Sequence, residues 1–133
     1  MPPKPYPAVD LGPLPVDLIN AALNTELEPG YARLSRTAHR HMATDHAADY
    51  PVCIAEIAAT IAAPTFIGQA PEHGRNFEMV RRIGRADGSA VLVAIGLEPD
   101  DRGDYRVRTC YLLEAGKVED RRRQGRLKLV IAR

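Results

Sequence analysis

Residues 77–97 read FEMVRRIGRADGSAVLVAIGL, and this stretch decides the fold. Phe77 to Ile83 reads as a strand, Asp87-Gly88 as a hairpin turn, and Ala90 to Leu97 as a buried central strand. Asp-Gly supplies the positive backbone φ angles that tight hairpins need. The run from Ala90 to Leu97 has no polar face, so both of its sides must be covered.

Downstream the strand pattern continues. Pro99 to Asp104 is a polar turn. Tyr105 to Leu113 alternates, with Tyr105, Val107, Thr109, Tyr111 and Leu113 expected on one face and Arg106, Arg108 and Cys110 on the other. Gly116 precedes a charged stretch, Lys117 to Gln124, that suits one or two helical turns, and Leu127 to Ile131 reads as a last strand.

Upstream the period changes from two to helical. Thr65 to Ile67 fits a short strand, and Gly68 to Arg75 a loop. Asp49 is placed to cap a helix with Pro51 in its first turn; Ile54, Ile57, Ala58 and Ile61 give it an apolar stripe, and Pro64 stops it. Ser35 is placed to cap another helix, running to about His46, after a short extended segment from Tyr31 to Leu34. Pro15 suits a first helical position, with Leu18, Ile19, Ala22 and Leu23 behind it and Pro29-Gly30 at its end. Residues 1–13 hold five of the eleven prolines and read as an extended arm, which leaves 14–133 as one domain. Helices first and consecutive strands after predict an α+β fold: N-terminal helices packed on a mainly antiparallel sheet formed by the C-terminal half.

The 133 residues are 45% hydrophobic, enough for one core without disulfides. Cys53 and Cys110 sit in apolar runs with no ligand partner at metal spacing, so buried reduced thiols are expected. The Pro-rich N-terminus is not followed by a signal-peptide core, and no run approaches the roughly 18 apolar residues of a membrane span. These features predict a cytoplasmic protein, or one delivered into a target cytoplasm, with no membrane partner. Charge is divided: residues 1–74 carry 4 Lys/Arg against 8 Asp/Glu, a net of −4, and residues 75–133 carry 14 against 9, a net of +5. The basic half can offer a face to phosphates or be solvated surface.

Three of the four histidines, His39, His41 and His46, fall in eight residues. On one helix His39 and His46 would share a face and His41 would point elsewhere. Zinc is one use for them, but the spacing i, i+2, i+7, with His73 in a distant loop, differs from the i, i+4 pair a helix offers best. General acid–base chemistry is another, because imidazole titrates near neutrality. Metal-free RNA cleavage needs such a group: the 2′-hydroxyl loses a proton, attacks the phosphate, and the 5′-oxygen leaves with a proton. Negative charge then grows on the phosphoryl oxygens and must meet cations or hydroxyl donors. Thr109 and Tyr111, with arginines and lysine nearby, are candidates.

The order of these pieces resembles the barnase–EndoU–colicin–RelE-like nucleases of phage and mobile-element proteins. The matching segments are Leu34-Ser35 opening a helix, Asp45-His46 near its end, and a second helix stopping at Pro64-Thr65-Phe66-Ile67; then come Val91-Leu92-Val93-Ala94 and Val107-Arg108-Thr109-Cys110-Tyr111. The resemblance covers roughly residues 30–131. It implies a catalytic set of His46, His39, Thr109 and Tyr111. The basic second half offers Arg106, Arg108, Arg81 and Lys117 as RNA-binding positions. Lysines common on that family's first helix are here Arg36, Arg40 or His39, which leaves the general base open. The resemblance also implies no metal or cofactor, an RNA substrate, and a cognate immunity or antitoxin protein. The competing expectation is a non-catalytic phage- or toxin-associated binding module of the same fold, which would carry an exposed apolar patch.

Overall fold

The computed structural model describes residues 6–69 and 74–130. The decisive stretch forms two strands, β4 (Asn76–Arg82) and β5 (Ala90–Gly96), paired antiparallel in unbroken register from Asn76↔Gly96 to Arg82↔Ala90. The turn between them is wider than a two-residue hairpin. Gly88 has φ +75°, and the Asp87 carboxylate accepts from the Ser89 amide at 2.9 Å and the Ser89 hydroxyl at 2.6 Å. Every residue of β5 is buried, as its unbroken apolar run requires.

Around this hairpin lie β1 (Val9–Pro13), β2 (Tyr31–Leu34), β3 (Phe66–Gly68), β6 (Tyr105–Leu113) and β7 (Leu127–Leu129). They form one seven-stranded sheet in the order β1-β2-β6-β5-β4-β3-β7. All neighbours pair antiparallel except β2 and β6, which run parallel. Four helices complete an α+β fold: α1 (Val16–Leu23), α2 (Arg36–Asp45), α3 (Tyr50–Ala62) and α4 (Ala115–Arg123).

Two sequence expectations change here. The sheet is not confined to the C-terminal half, because β1 and β2 extend it. The Pro-rich arm is also partly structural: its end is edge strand β1, with Leu11 buried. Proline is tolerated there because an edge strand can lack a donor. The arm's residues 1–5, the loop histidine at position 73 and the predicted strand end at position 131 lie outside the described residues. Among the described residues no helix is long and apolar enough to cross a membrane.

The sheet separates two apolar cores. The first lies under α1, α2 and α3 and contains Ile19, Leu34, Met42, Ile57, Ile95 and Tyr105. The second lies under α4 and contains Phe66, Val80, Leu92, Leu113, Val118 and Leu127. The buried stripe of α3 is Cys53, Ile57, Thr60 and Ile61, rotated from the expected one; Ala58 faces solvent. Cys53 and Cys110 are free, fully buried thiols in the first core. Hydrogen bonding to Cys53, and then burial, push the Cys110 thiol up, which keeps it protonated.

One irregularity redirects β6. Ala94 pairs with Thr109 and Ile95 pairs with Val107, so Arg108 is an extra, bulged residue. The strand therefore changes face at Arg108. Tyr105, Val107 and Cys110 belong to the first core, whereas Leu113 and Tyr111 belong with the second. The single alternation expected from Tyr105 to Leu113 is thus broken. A bulge adds one residue, and a period of two cannot survive that.

Candidate active site

On the α4 face the row Glu78, Ala94, Thr109 crosses β4, β5 and β6 in register. The next row is Val80, Leu92, Tyr111. Ala94 and Gly96 keep the floor low. Arg108 lies flat over Gly96, with its Nε 3.4 Å from where a Cβ at that position would stand. The bulge and the glycine together lay a guanidinium along the sheet beside Thr109.

Arg121 descends from α4 to this floor. Its Nη1 donates to Glu78 Oε1 at 2.6 Å, and both side chains are largely buried. The pair lies beside Tyr111. Burial raises the Tyr111 phenol above its ordinary pKa, the Glu78 charge raises it further, and Arg121 partly opposes them. Tyr111 is therefore held as a protonated hydrogen-bond donor.

His46 arrives from the other side. β2 pairs with β6 only at Tyr105 and Arg106, so β6 has an open edge beyond them, against which α2 and α3 are packed. Helix α2 starts at Ser35, whose Oγ accepts from the Ala38 amide at 3.1 Å. It ends at Asp45, and His46 leaves the helical conformation with φ −126° and ψ 48°. Its ring stacks on Tyr111, with centroids 5.1 Å apart and planes 26° apart.

His39 is not brought to this place. It is 3% exposed, with Nδ1 2.8 Å from the Pro7 carbonyl oxygen and Nε2 2.6 Å from the Tyr50 hydroxyl. A carbonyl only accepts, so Nδ1 carries the proton and the Tyr50 O–H donates to Nε2. Tyr6 packs edge-on against the same ring at 5.3 Å. This histidine fastens the N-terminal segment to α2 and α3. The face expected to be common to His39 and His46 does not exist, because the helix ends one residue before His46. His41 is exposed and pairs with Asp45 at 2.7 Å, which pulls the Asp45 carboxyl below its usual range.

The four expected RNA contacts divide between the faces. Arg106 and Arg108 are exposed on the α4 side of β6, Arg106 in an ion pair with Asp100 at 3.6 Å. Lys117 is exposed near the start of α4. Arg81 pairs with Val91 on the opposite face and donates from Nη1 to the Ala63 carbonyl at 2.8 Å, closing the end of α3. All three arginines of the basic run Arg121–Arg123 have acidic partners. Arg122 bonds Glu119 and lies over the Phe66 ring, and Arg123 bonds Asp120.

Glu78 is not among the residues the sequence points to, and Arg121 enters there only as one of the basic run Arg121–Arg123. A lone acid between Phe77 and Met79 in a strand was the available signal for Glu78. Among the described residues no three His, Cys, Asp or Glu side chains cluster as a metal site. Comparison of the chain with protein-family models, curated proteins and solved structures found no match.

Proposed function

We propose that the chain is a metal-independent endoribonuclease of the barnase–EndoU–colicin–RelE-like kind, acting as a toxin or effector. The observation that carries this reading is the His46–Tyr111 stack beside the Glu78–Arg121 pair on the open part of the sheet. It joins a proton acceptor, a protonated hydroxyl donor and a cation on one polar floor.

His46 takes the proton of the 2′-hydroxyl as that oxygen attacks the adjacent phosphate. Arg121, Arg108 and the Thr109 hydroxyl meet the charge that grows on the phosphoryl oxygens. Tyr111, kept protonated by burial and by Glu78, donates to the departing 5′-oxygen. The products are a 2′,3′-cyclic phosphate and a 5′-hydroxyl. Exposed large apolar side chains do not favour the binding-module alternative: Tyr31 and Leu129 stand near opposite edges of the sheet, not in one patch.

The test is incubation of the purified chain with total RNA in EDTA, beside His46→Ala. The reading expects cleavage by the first and loss in the second. A well-folded wild-type protein that leaves all RNA intact would overturn it. Activity should be lost at high pH as Tyr111 ionises, above the ordinary tyrosine value of about 10.

A further inference from the structure

Asp49 occupies the N-cap position of α3, yet it makes no cap hydrogen bond. Its backbone is already helical, at φ −88° and ψ −18°, which turns the carboxylate away from the first-turn amides. Instead Oδ2 accepts from the Leu112 amide at 3.0 Å. That amide lies on the open edge of β6, past the two residues that β2 pairs. Without Asp49 it would lose its hydrogen-bond partner.

The same residue holds the other half of the stack. The Asp49 amide donates to the His46 carbonyl oxygen at 3.0 Å, closing the short turn between α2 and α3. One residue therefore ties the backbone of His46 to the neighbour of Tyr111 on β6. We infer that Asp49 is a positioning residue that holds the His46 ring against Tyr111. The catalytic consequence rests on the proposed nuclease reading; the geometric one does not.

The connection from His46 to Asp49 is a short turn, and the imidazole meets β6 at the Tyr111 ring. A hydrogen bond to a charged carboxylate is a stronger restraint than a single ring contact. Substituting Asp49 should therefore release His46 before it unfolds the domain.

The experiment compares wild type, Asp49→Ala and Asp49→Asn by NMR of the histidine ring protons, together with RNA cleavage kinetics. In wild type the His46 protons should carry the ring-current shift of Tyr111 and show nuclear Overhauser contacts to it. In Asp49→Ala these should vanish, and kcat should fall by up to about 100-fold with little change in KM. Asp49→Asn keeps an acceptor oxygen and should restore both. Asp49→Ser, which keeps a helix-start hydroxyl and loses the reach to β6, answers the question where the alanine variant does not fold. If the His46 shifts and contacts survive in Asp49→Ala and Asp49→Ser while the Leu112 amide becomes rapidly exchanging, Asp49 is an edge cap only and the inference fails. If the stack is lost as expected but wild type cleaves no RNA, the positioning holds and the nuclease reading is what fails.

Discussion

The two faces of the sheet are built on the same strands but are covered in opposite ways. Under α1, α2 and α3 the face is mainly apolar, with Ile19, Met42, Cys53, Ile57 and Ile61 driven into it. Under α4 one buried side chain, Val118, does the apolar work, and charge does the rest. Arg121 bonds Glu78, Arg82 bonds Glu119, and the guanidinium groups of Arg82 and Arg122 each lie 5.1 Å from the centre of the Phe66 ring. A nine-residue helix held this way leaves the Thr109 end of the sheet polar. Stability and proposed chemistry are thereby separated, and the bulge at Arg108 performs the separation. Without it, Thr109 and Tyr111 would share the buried face with Tyr105 and Val107.

The sharpest way to break this comparison is a pair of substitutions, one on each face. His46→Ala should cut RNA cleavage by about 10²–10⁴-fold and leave the unfolding midpoint almost unchanged. Ile57→Ala, at a position 1% exposed, should cost about 2–5 kcal/mol in urea unfolding and leave cleavage per folded molecule unchanged. If Ile57→Ala impaired the chemistry of folded protein as strongly as His46→Ala, the faces would not be separate.

A substitution at the junction of charge and packing comes next. Glu78→Ala leaves Arg121 largely buried without the carboxylate it bonds and should cost about 3 kcal/mol. It should also move the Tyr111 pKa down, because Glu78 raises it. The sign follows from the phenol being an acid with a raised folded pKa. Its contribution to stability is complete below the unfolded value, about 10, and is lost as pH rises through the folded one. Ultraviolet titration of the tyrosines, with Tyr111→Phe to identify its transition, should show that transition moving to lower pH in the Glu78→Ala variant; an unmoved transition would detach Tyr111 from the pair.

Smaller effects separate the faces by charge. Arg108→Ala should reduce the log–log salt slope of single-stranded RNA binding by about 0.7, and Arg81→Ala, on the helix side, should not change it. Equal slopes in both variants would show that the guanidinium over Gly96 does not meet phosphate. The smallest effect belongs to His41→Ala. Cleavage should persist, and the Asp45 carboxyl should rise toward its usual value once its His41 hydrogen bond is gone. Carbon-13 NMR titration of Asp45 reads this directly.

Much of the fold was legible because its signals are local. The apolar run at Ala90–Gly96, Ser35 as a cap and Pro64 as a stop each act within a few residues. The bulge was not legible, because nothing in Val107-Arg108-Thr109 marks which residue is extra; the partner strand decides it. β1 was hidden by its prolines, which an edge strand tolerates. At the site, the family resemblance put His46 and Tyr111 in one set, and their rings lie stacked. The burial of His39 did not, since its partners Pro7 and Tyr50 lie 32 and 11 residues away. Arg121 was masked by its neighbours: three consecutive arginines look alike until one of them meets Glu78.

The most direct test of the central claim uses a labelled oligoribonucleotide in EDTA, with a single 2′-deoxy substitution moved one nucleotide at a time. The account predicts that cleavage at a given bond vanishes only when the 2′-hydroxyl beside that scissile phosphate is missing. The fragments should end in a 2′,3′-cyclic phosphate and begin with a 5′-hydroxyl. Cleavage that persists in an all-deoxy substrate, or that requires an added divalent metal, would contradict it.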